Sequence, residues 1–267
     1  MKKIALLGAT ALIAIPGIAS AQFSYSTNFD SFAIGNVATQ DGWVAGSGTS
    51  NVPVITNNAS LSPSQSVLLA TGTTGSNFAS VGKAFAIGAP SAGTQILKGS
   101  ASIFVSSTTG DRYFGIGFGT SAFATSGFIG VALSADGLRG NGGGYASYNA
   151  GSTGILQARN TADFIGRWVD VSFVADRGAT TNNVTFTFSG LGTGFGNATE
   201  TFTKSVNFGT TNLTHAQIFH DWDTTGSFQG SAFLDNASFS AEAVPEPATM
   251  TVLGLAALAA ARRRKQK

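Results

Sequence analysis

The chain has 267 residues, no cysteine, 43% hydrophobic but only 10% charged residues, and a formal net charge of +2. That balance excludes a disulfide-stapled scaffold, and it excludes ordinary disorder, which couples low hydrophobicity to high charge. A folded core is required, and the length suffices to bury one in a single domain.

The N-terminus reads as an export signal. Met1-Lys2-Lys3 is a small positive region, Ile4 to Ile18 is mostly apolar, and Ala19-Ser20-Ala21 is an A-x-A cleavage site before Gln22. Pro16-Gly17 breaks the expected signal helix shortly before that site. Signal peptidase is therefore an expected partner, and residues 1–21 form the first unit; a retained N-terminal anchor is the alternative. Residues 22–243 follow as one domain, with eight cations and twelve anions and so a net charge of −4. The basic character belongs to the ends, and nucleic-acid binding loses its main warrant.

Alternation of period two runs through this middle unit. In Asn183–Ser189 the apolar Val184, Phe186 and Phe188 share one face, with Thr185 and Thr187 on the other. Val169, Val171, Phe173 and Ala175 form a second stripe. Similar runs occur at 101–106, 113–119, 128–133, 201–208, 216–219 and 232–239, separated by clusters rich in Gly, Asn and Ser. Many strands with turn signals between them predict an all-β, two-sheet antiparallel β-sandwich.

The opening Phe29-Asp30-Ser31-Phe32-Ala33-Ile34-Gly35, the turn at Gln40-Asp41-Gly42-Trp43 and the closing Ala232–Phe239 resemble the first strand, first turn and last strand of concanavalin-like jelly-roll domains. The resemblance implies a last strand that returns beside the first. A Greek-key sandwich fits the alternation equally well.

Residues able to carry chemistry are few. Glu200 and Glu242 are the glutamates of the middle unit, and neither belongs to the closely spaced carboxylate pattern of jelly-roll glucanases. His215 and His220, five apart on a predicted strand, point to opposite faces and do not converge on a zinc ion. No Gly-x-Ser-x-Gly elbow is present. The unit is therefore read as non-enzymatic, with a secreted polysaccharide hydrolase as the weakest alternative.

His220-Asp221-Trp222-Asp223-Thr224 is the densest polar cluster. Asp221 and Asp223 would share one face of an extended segment and offer two carboxylates to Ca²⁺. Trp222 would stack on a sugar ring, and Trp43, next to Gly42, has the same two readings, a sugar platform or a ring packed into the sandwich. The sugar platform gives the lectin-like alternative. Against it stands a strand end capped by Asp, with Trp222 packed over the sandwich edge. Trp168 is read as structural, and no cofactor is expected beyond the Ca²⁺ alternative.

The last unit, residues 244–267, contains Pro245-Glu246-Pro247, an apolar run and the basic Arg262-Arg263-Arg264-Lys265. The prolines end any strand. The 14 residues from Ala248 to Ala261 would make a hydrophobic helix roughly 21 Å long. A bilayer core is nearer 30 Å, so the run suits a transient stop better than a comfortable span. It lacks the polar face of a buried helix, and the basic cluster stays cytoplasmic by the positive-inside rule. The three parts in this order resemble the PEP-CTERM sorting signal of bacterial exported proteins. The resemblance implies an exosortase, a membrane-embedded cysteine transpeptidase, as partner. It also implies cleavage near the prolines and delivery to the cell surface or to an exopolysaccharide matrix.

Overall fold

The computed structural model describes residues 22–46, 52–70, 79–86, 94–108, 112–122, 128–134, 137–141, 155–158, 164–177, 182–192, 198–206, 212–222 and 230–244, together with Gly254 and Arg262. The expected signal helix and the body of the tail helix lie outside them. Among the described residues no helix is long and apolar enough to cross a membrane.

In chain order the strands are β1 (Gln22–Thr27), β2 (Gly35–Asn36), β3 (Trp43–Ala45), β4 (Val54–Thr56), β5 (Ser66–Ala70) and β6 (Ala79–Ala84). Next come β7 (Thr94–Thr108), β8 (Arg112–Gly119), β9 (Phe128–Ser134), β10 (Gly137–Asn141) and β11 (Ile155–Ala158). The last five are β12 (Trp168–Arg177), β13 (Asn182–Ser189), β14 (Thr199–Val206), β15 (His215–Trp222) and β16 (Gly230–Val244). One sheet runs β14-β13-β12-β7-β16-β5-β4-β2, with β1 also on β16; the other runs β11-β10-β9-β8-β15-β6-β3. All pairings are antiparallel, as expected of a two-sheet sandwich.

The alternation builds the core directly. Val184, Phe186 and Phe188 of β13, and Val169, Val171, Phe173 and Ala175 of β12, are all buried between the sheets. Ile116 and Phe118 of β8, with Ala216 and Ile218 of β15, meet them from the other sheet. Phe118 makes edge contacts with Phe173 at 5.9 Å and Phe239 at 5.7 Å, joining the two layers through aromatic pairs.

Two expectations change at the ends of the domain. The first strand is Gln22–Thr27; of residues 29–35, read as the first strand, 29–34 form a turn-rich connection entered at Phe29 with φ 63°, and Gly35 opens β2. The closing strand does return beside the first, with Gln22 opposite Glu242 and Thr27 opposite Ala237. Val244, assigned to the tail, is the last residue of β16 and lies opposite Thr94. The described strand thus runs up to the residue before Pro245.

The outer face of the seven-stranded sheet carries a second, small cluster of Tyr113, Phe128, Ala132 and Phe219. Phe128 and Phe219 meet edge-on at 5.0 Å. Glycine is required beneath them: a Cβ on Gly117 would lie 2.3 Å from both the Ile129 carbonyl oxygen and Phe128 Cζ. Ser121 and Ala122 close over β15 and β6, accepting hydrogen bonds from Gln217 Nε2 and, at 2.7 Å, from Ser80 Oγ. Over these two strands the face is covered by the chain itself.

Candidate functional site

Trp43, a candidate sugar platform in the sequence, is fully buried. It opens β3, where alternation turns it inward and leaves Val44 47% exposed. Its ring meets Tyr25 at 5.8 Å and Phe239 at 6.2 Å, both edge-on, so no face is available to a ligand. Trp222 is the last residue of β15, with its backbone opposite Arg112, and Asp221 is opposite Tyr113. Their side chains, and Asp223 entirely, lie outside the described residues. Among the described residues no group of three or more His, Cys, Asp or Glu could hold a metal ion. His215 and His220 sit at positions of opposite parity on β15, as expected; His220 is buried, and His215 Nδ1 lies 2.8 Å from Thr214 Oγ1. Burial lowers the His215 pKa.

What the structure assembles instead is a polar cleft beside the end of β1. It has a volume of about 350 Å³ and is lined by Tyr25, Ser31, Phe32, Gln40 and Asp41 among others. Trp43 Nε1 donates to Tyr25 Oη at 3.1 Å, and that hydroxyl donates to Asp41 Oδ2 at 2.7 Å. Lys83 Nζ lies 3.4 Å from the same carboxylate oxygen and 4.4 Å from the centre of the Tyr25 ring. Gln40 fixes the neighbouring loop, accepting from Ala33 N at 2.7 Å and donating to Asn36 O at 2.8 Å. Sequence reasoning missed Tyr25 and Lys83, because nothing local signals that residues so far apart share one network.

Backbone strain collects around this cleft. Phe29, Thr39, Asp41 and Asn236 all have positive φ, of 63°, 84°, 46° and 52°. Such conformations cost on the order of 1–3 kcal/mol where they are strained, and surrounding contacts must hold them. Beside Phe29 and at Asn236, two carboxylates supply those contacts; Thr39 is held by its amide's hydrogen bond to Trp43 O at 2.8 Å, and Asp41 by Tyr25 and Lys83. Asp30 Oδ1 accepts from Ser64 Oγ at 2.9 Å and from the Gln65 amide at 3.0 Å. Asp235, fully buried, accepts at Oδ2 from the Leu61 and Ser62 amides, both at 2.9 Å, and at Oδ1 from the Asn236 amide at 2.7 Å. Both carboxylates have their lone pairs directed at N–H and O–H donors. Their role is to fasten the 61–65 segment across the chain's first turn and last strand.

Burial raises the Tyr25 pKa from 10.0 to about 12, and the Asp41 carboxylate adds to the rise while the Trp43 hydrogen bond opposes it. The unfolded chain therefore loses this proton first. The stabilising contribution is complete below pH 10 and is lost as pH rises through 12. Tyr25→Phe removes that loss, so urea titrations at pH 9, 11 and 12 are expected to show a shallower alkaline decline in the variant than in the native chain.

Comparison with known proteins bears on both the tail and the domain. No curated protein sequence matches the chain. Among solved structures, arcelin-5, a lectin-like defence protein from Phaseolus vulgaris, superposes with a TM-score of 0.52 at 9% identity, covering 84% of this chain and 100% of that one. Lectin I from Ulex europaeus, in complex with the methyl glycoside of α-L-fucose, gives 0.51 at 11% identity over 83% and 98% of the two chains. A basic winged bean lectin with Tn-antigen gives 0.50 at 11% identity over 84% and 100%. At these identities the likeness is one of fold, a concanavalin-like jelly roll. Residues 243–265 match the PEP-CTERM protein-sorting motif. The chain is thus a jelly-roll domain that carries, at its C-terminal end, the motif of exported proteins that are anchored in a membrane and then processed.

Proposed function

We infer that this protein is an exported, non-catalytic component of the cell surface or extracellular matrix, sorted by an exosortase and associated with exopolysaccharide. The observation that carries the reading is that Pro245-Glu246-Pro247 follows directly on Val244, the last residue of β16, so that only the first two residues of the matched motif, 243 and 244, belong to the sheet. Cleavage at or after Pro245-Glu246-Pro247 would remove the apolar run and the basic cluster while leaving every strand and the whole core in place. The same logic holds at the other end, where β1 starts at Gln22, the first residue after the Ala19-Ser20-Ala21 cleavage site.

The use of the carboxylates supports a non-catalytic role. Asp30 and Asp235 are enclosed by donors, Asp41 pairs with Lys83, and Glu242 lies 3.7 Å from Lys98. A glycosidase needs one carboxyl held as an acid opposite a second across an open cleft. These four serve the fold. The surface of the nine-stranded sheet, with Thr185, Thr187, Thr201 and Thr203 in register, presents hydroxyls suited to a hydrated polymer.

Replacing Pro245, Glu246 and Pro247 together with alanine tests the sorting reading. The altered protein is expected to accumulate full-length in the inner-membrane fraction, with the native chain recovered at the surface or in the matrix. Unchanged surface delivery of the variant would refute it.

A further inference from the structure

The outer face of the nine-stranded sheet holds an arrangement that no single segment reveals. Trp168 of β12 is opposite Phe104 of β7, Phe104 opposite Phe233 of β16, Phe233 opposite Leu68 of β5, and Leu68 opposite Val54 of β4. The sequence neighbours of these residues, including Val169, Ile103, Val105, Leu234, Val67 and Ile55, are buried in the core. The row therefore points away from the core, and each of its members is partly exposed. Its rings are neighbours tilted to one another, with centroid separations of 5.6 Å and an interplanar angle of 52° for Phe104 and Trp168, and 6.3 Å and 57° for Phe104 and Phe233. At about 4.8 Å per strand, five members make a strip roughly 19 Å long, running across the strands.

Hydrogen-bonding groups border the strip on both sides. Exposed Asp170, two residues beyond Trp168, accepts from Ser102 Oγ at 2.5 Å. On the other side exposed Ser106, two residues beyond Phe104, donates to Ser231 O at 2.9 Å. An apolar line of rings between polar margins matches the chemistry of an extended sugar chain, whose rings present C–H faces and whose edges present hydroxyls.

The chain's own ends and a second copy fit less well. Val244, where the tail departs, is eleven residues along β16 from Phe233, or about 36 Å at roughly 3.3 Å per residue. Gln22 leaves at the same end, opposite Glu242. While the tail holds the protein at a membrane, the strip stands at the far end of the sheet. The five side chains are each only partly exposed, and the strip is one residue wide, far narrower than the roughly 800 Å² per partner that a stable protein interface buries.

We propose that Trp168, Phe104 and Phe233 form a binding strip for one extended, equatorially linked polysaccharide, stacked ring on ring, with Asp170 and Ser106 receiving its hydroxyls. This rests on the exopolysaccharide association inferred above and gives it a location. Trp168, read from the sequence as structural, becomes the anchor.

Affinity electrophoresis of the purified full-length chain tests it, with hydroxyethyl cellulose and xylan as β-linked probes and pullulan as the α-linked control. Retardation by a β-linked probe is expected, without retardation by pullulan. Trp168→Thr and Phe233→Thr are each expected to weaken it at least ten-fold while melting within a few degrees of the native chain. Threonine suits an outward strand position, and two variants on different strands guard against loss of fold in one. Retardation unchanged in both folded variants overturns the strip and leaves the polysaccharide association standing. A native chain that ignores both β-linked probes also overturns the strip. If it fails in addition to co-fractionate with the producing cell's own exopolysaccharide, the wider reading falls as well. Dimerisation that the same substitutions abolish would assign the strip to a second copy and contradict the proposal.

Discussion

Replacing Asp235 with alanine is expected to destabilise the domain by about 3 kcal/mol, among the largest effects of any single polar residue. The carboxylate is fully buried, and its donors are three backbone amides and a hydroxyl: Leu61 N, Ser62 N, Asn236 N and Ser62 Oγ. Alanine leaves all four without their acceptor. A buried donor abandoned in this way costs about 1–3 kcal/mol. Leu61 is 48% exposed, so water reaches part of the segment and keeps the total below the sum. For a domain of this size about 3 kcal/mol corresponds to a fall in Tm of roughly 6–12 °C. Asp235→Asn keeps one acceptor oxygen but turns an NH₂ toward donors, so it should fall between the two. Calorimetry of the three proteins checks the order. A shift under about 2 °C for the alanine variant would mean that the 61–65 segment is held by other contacts.

The second large effect separates the tail from the fold. A chain ending at Val244 is expected to melt at the temperature of the full-length protein, because every residue of the sheet is retained. A chain ending at Ala237 is expected not to fold. It loses the half of β16 that pairs with β1 and with the first part of β7, from Ser238 opposite Ser26 to Val244 opposite Thr94. It also loses Phe239, fully buried against Trp43 and Phe118. Removing one buried aromatic costs about 3–5 kcal/mol, and the total stability of a domain is only about 5–15 kcal/mol. With Ala241 and a whole strand ladder gone as well, the remainder cannot stand. Far-UV circular dichroism with a thermal scan distinguishes the two truncations. A cooperative transition in the shorter one would show that β1 and the end of β16 are dispensable.

The sequence revealed what repeats locally and hid what depends on register. Val184, Phe186 and Phe188 declared a strand and its buried face, because burial on one side imposes alternation. The tail was legible for a different reason: its three parts are contiguous and their order carries the signal. Short strands such as β2 and β4, two and three residues long, offer no period to read. Trp43 stayed open between a sugar platform and a packed ring because a tryptophan after a Gly-containing turn looks exposed, and only the strand that follows turns it inward. The cleft and the aromatic strip were invisible for a common physical reason. Tyr25 of β1, Lys83 of β6 and Asp41 of the turn before β3 meet only in the folded sandwich, and Trp168, Phe104 and Phe233 meet only through strand pairing set by the whole sheet.

The likeness to lectins of known structure locates the fold and no ligand. Here the outer face of the seven-stranded sheet is closed over β6 and β15 by Ser121 and Ala122, and Trp43 is spent on the core. The nine-stranded sheet carries the ordered hydroxyls and the partly exposed rings. A matrix protein built this way would face its polymer with the sheet that holds both of its own ends.

The most direct measurement is the intact mass of the protein recovered from the surface or matrix of cells that express it natively. The expected species is a chain that begins at Gln22 and ends close to Val244-Pro245-Glu246-Pro247, without the apolar run and the terminal arginines. A full-length mass, with the tail intact and the protein retained in the inner membrane, would contradict it.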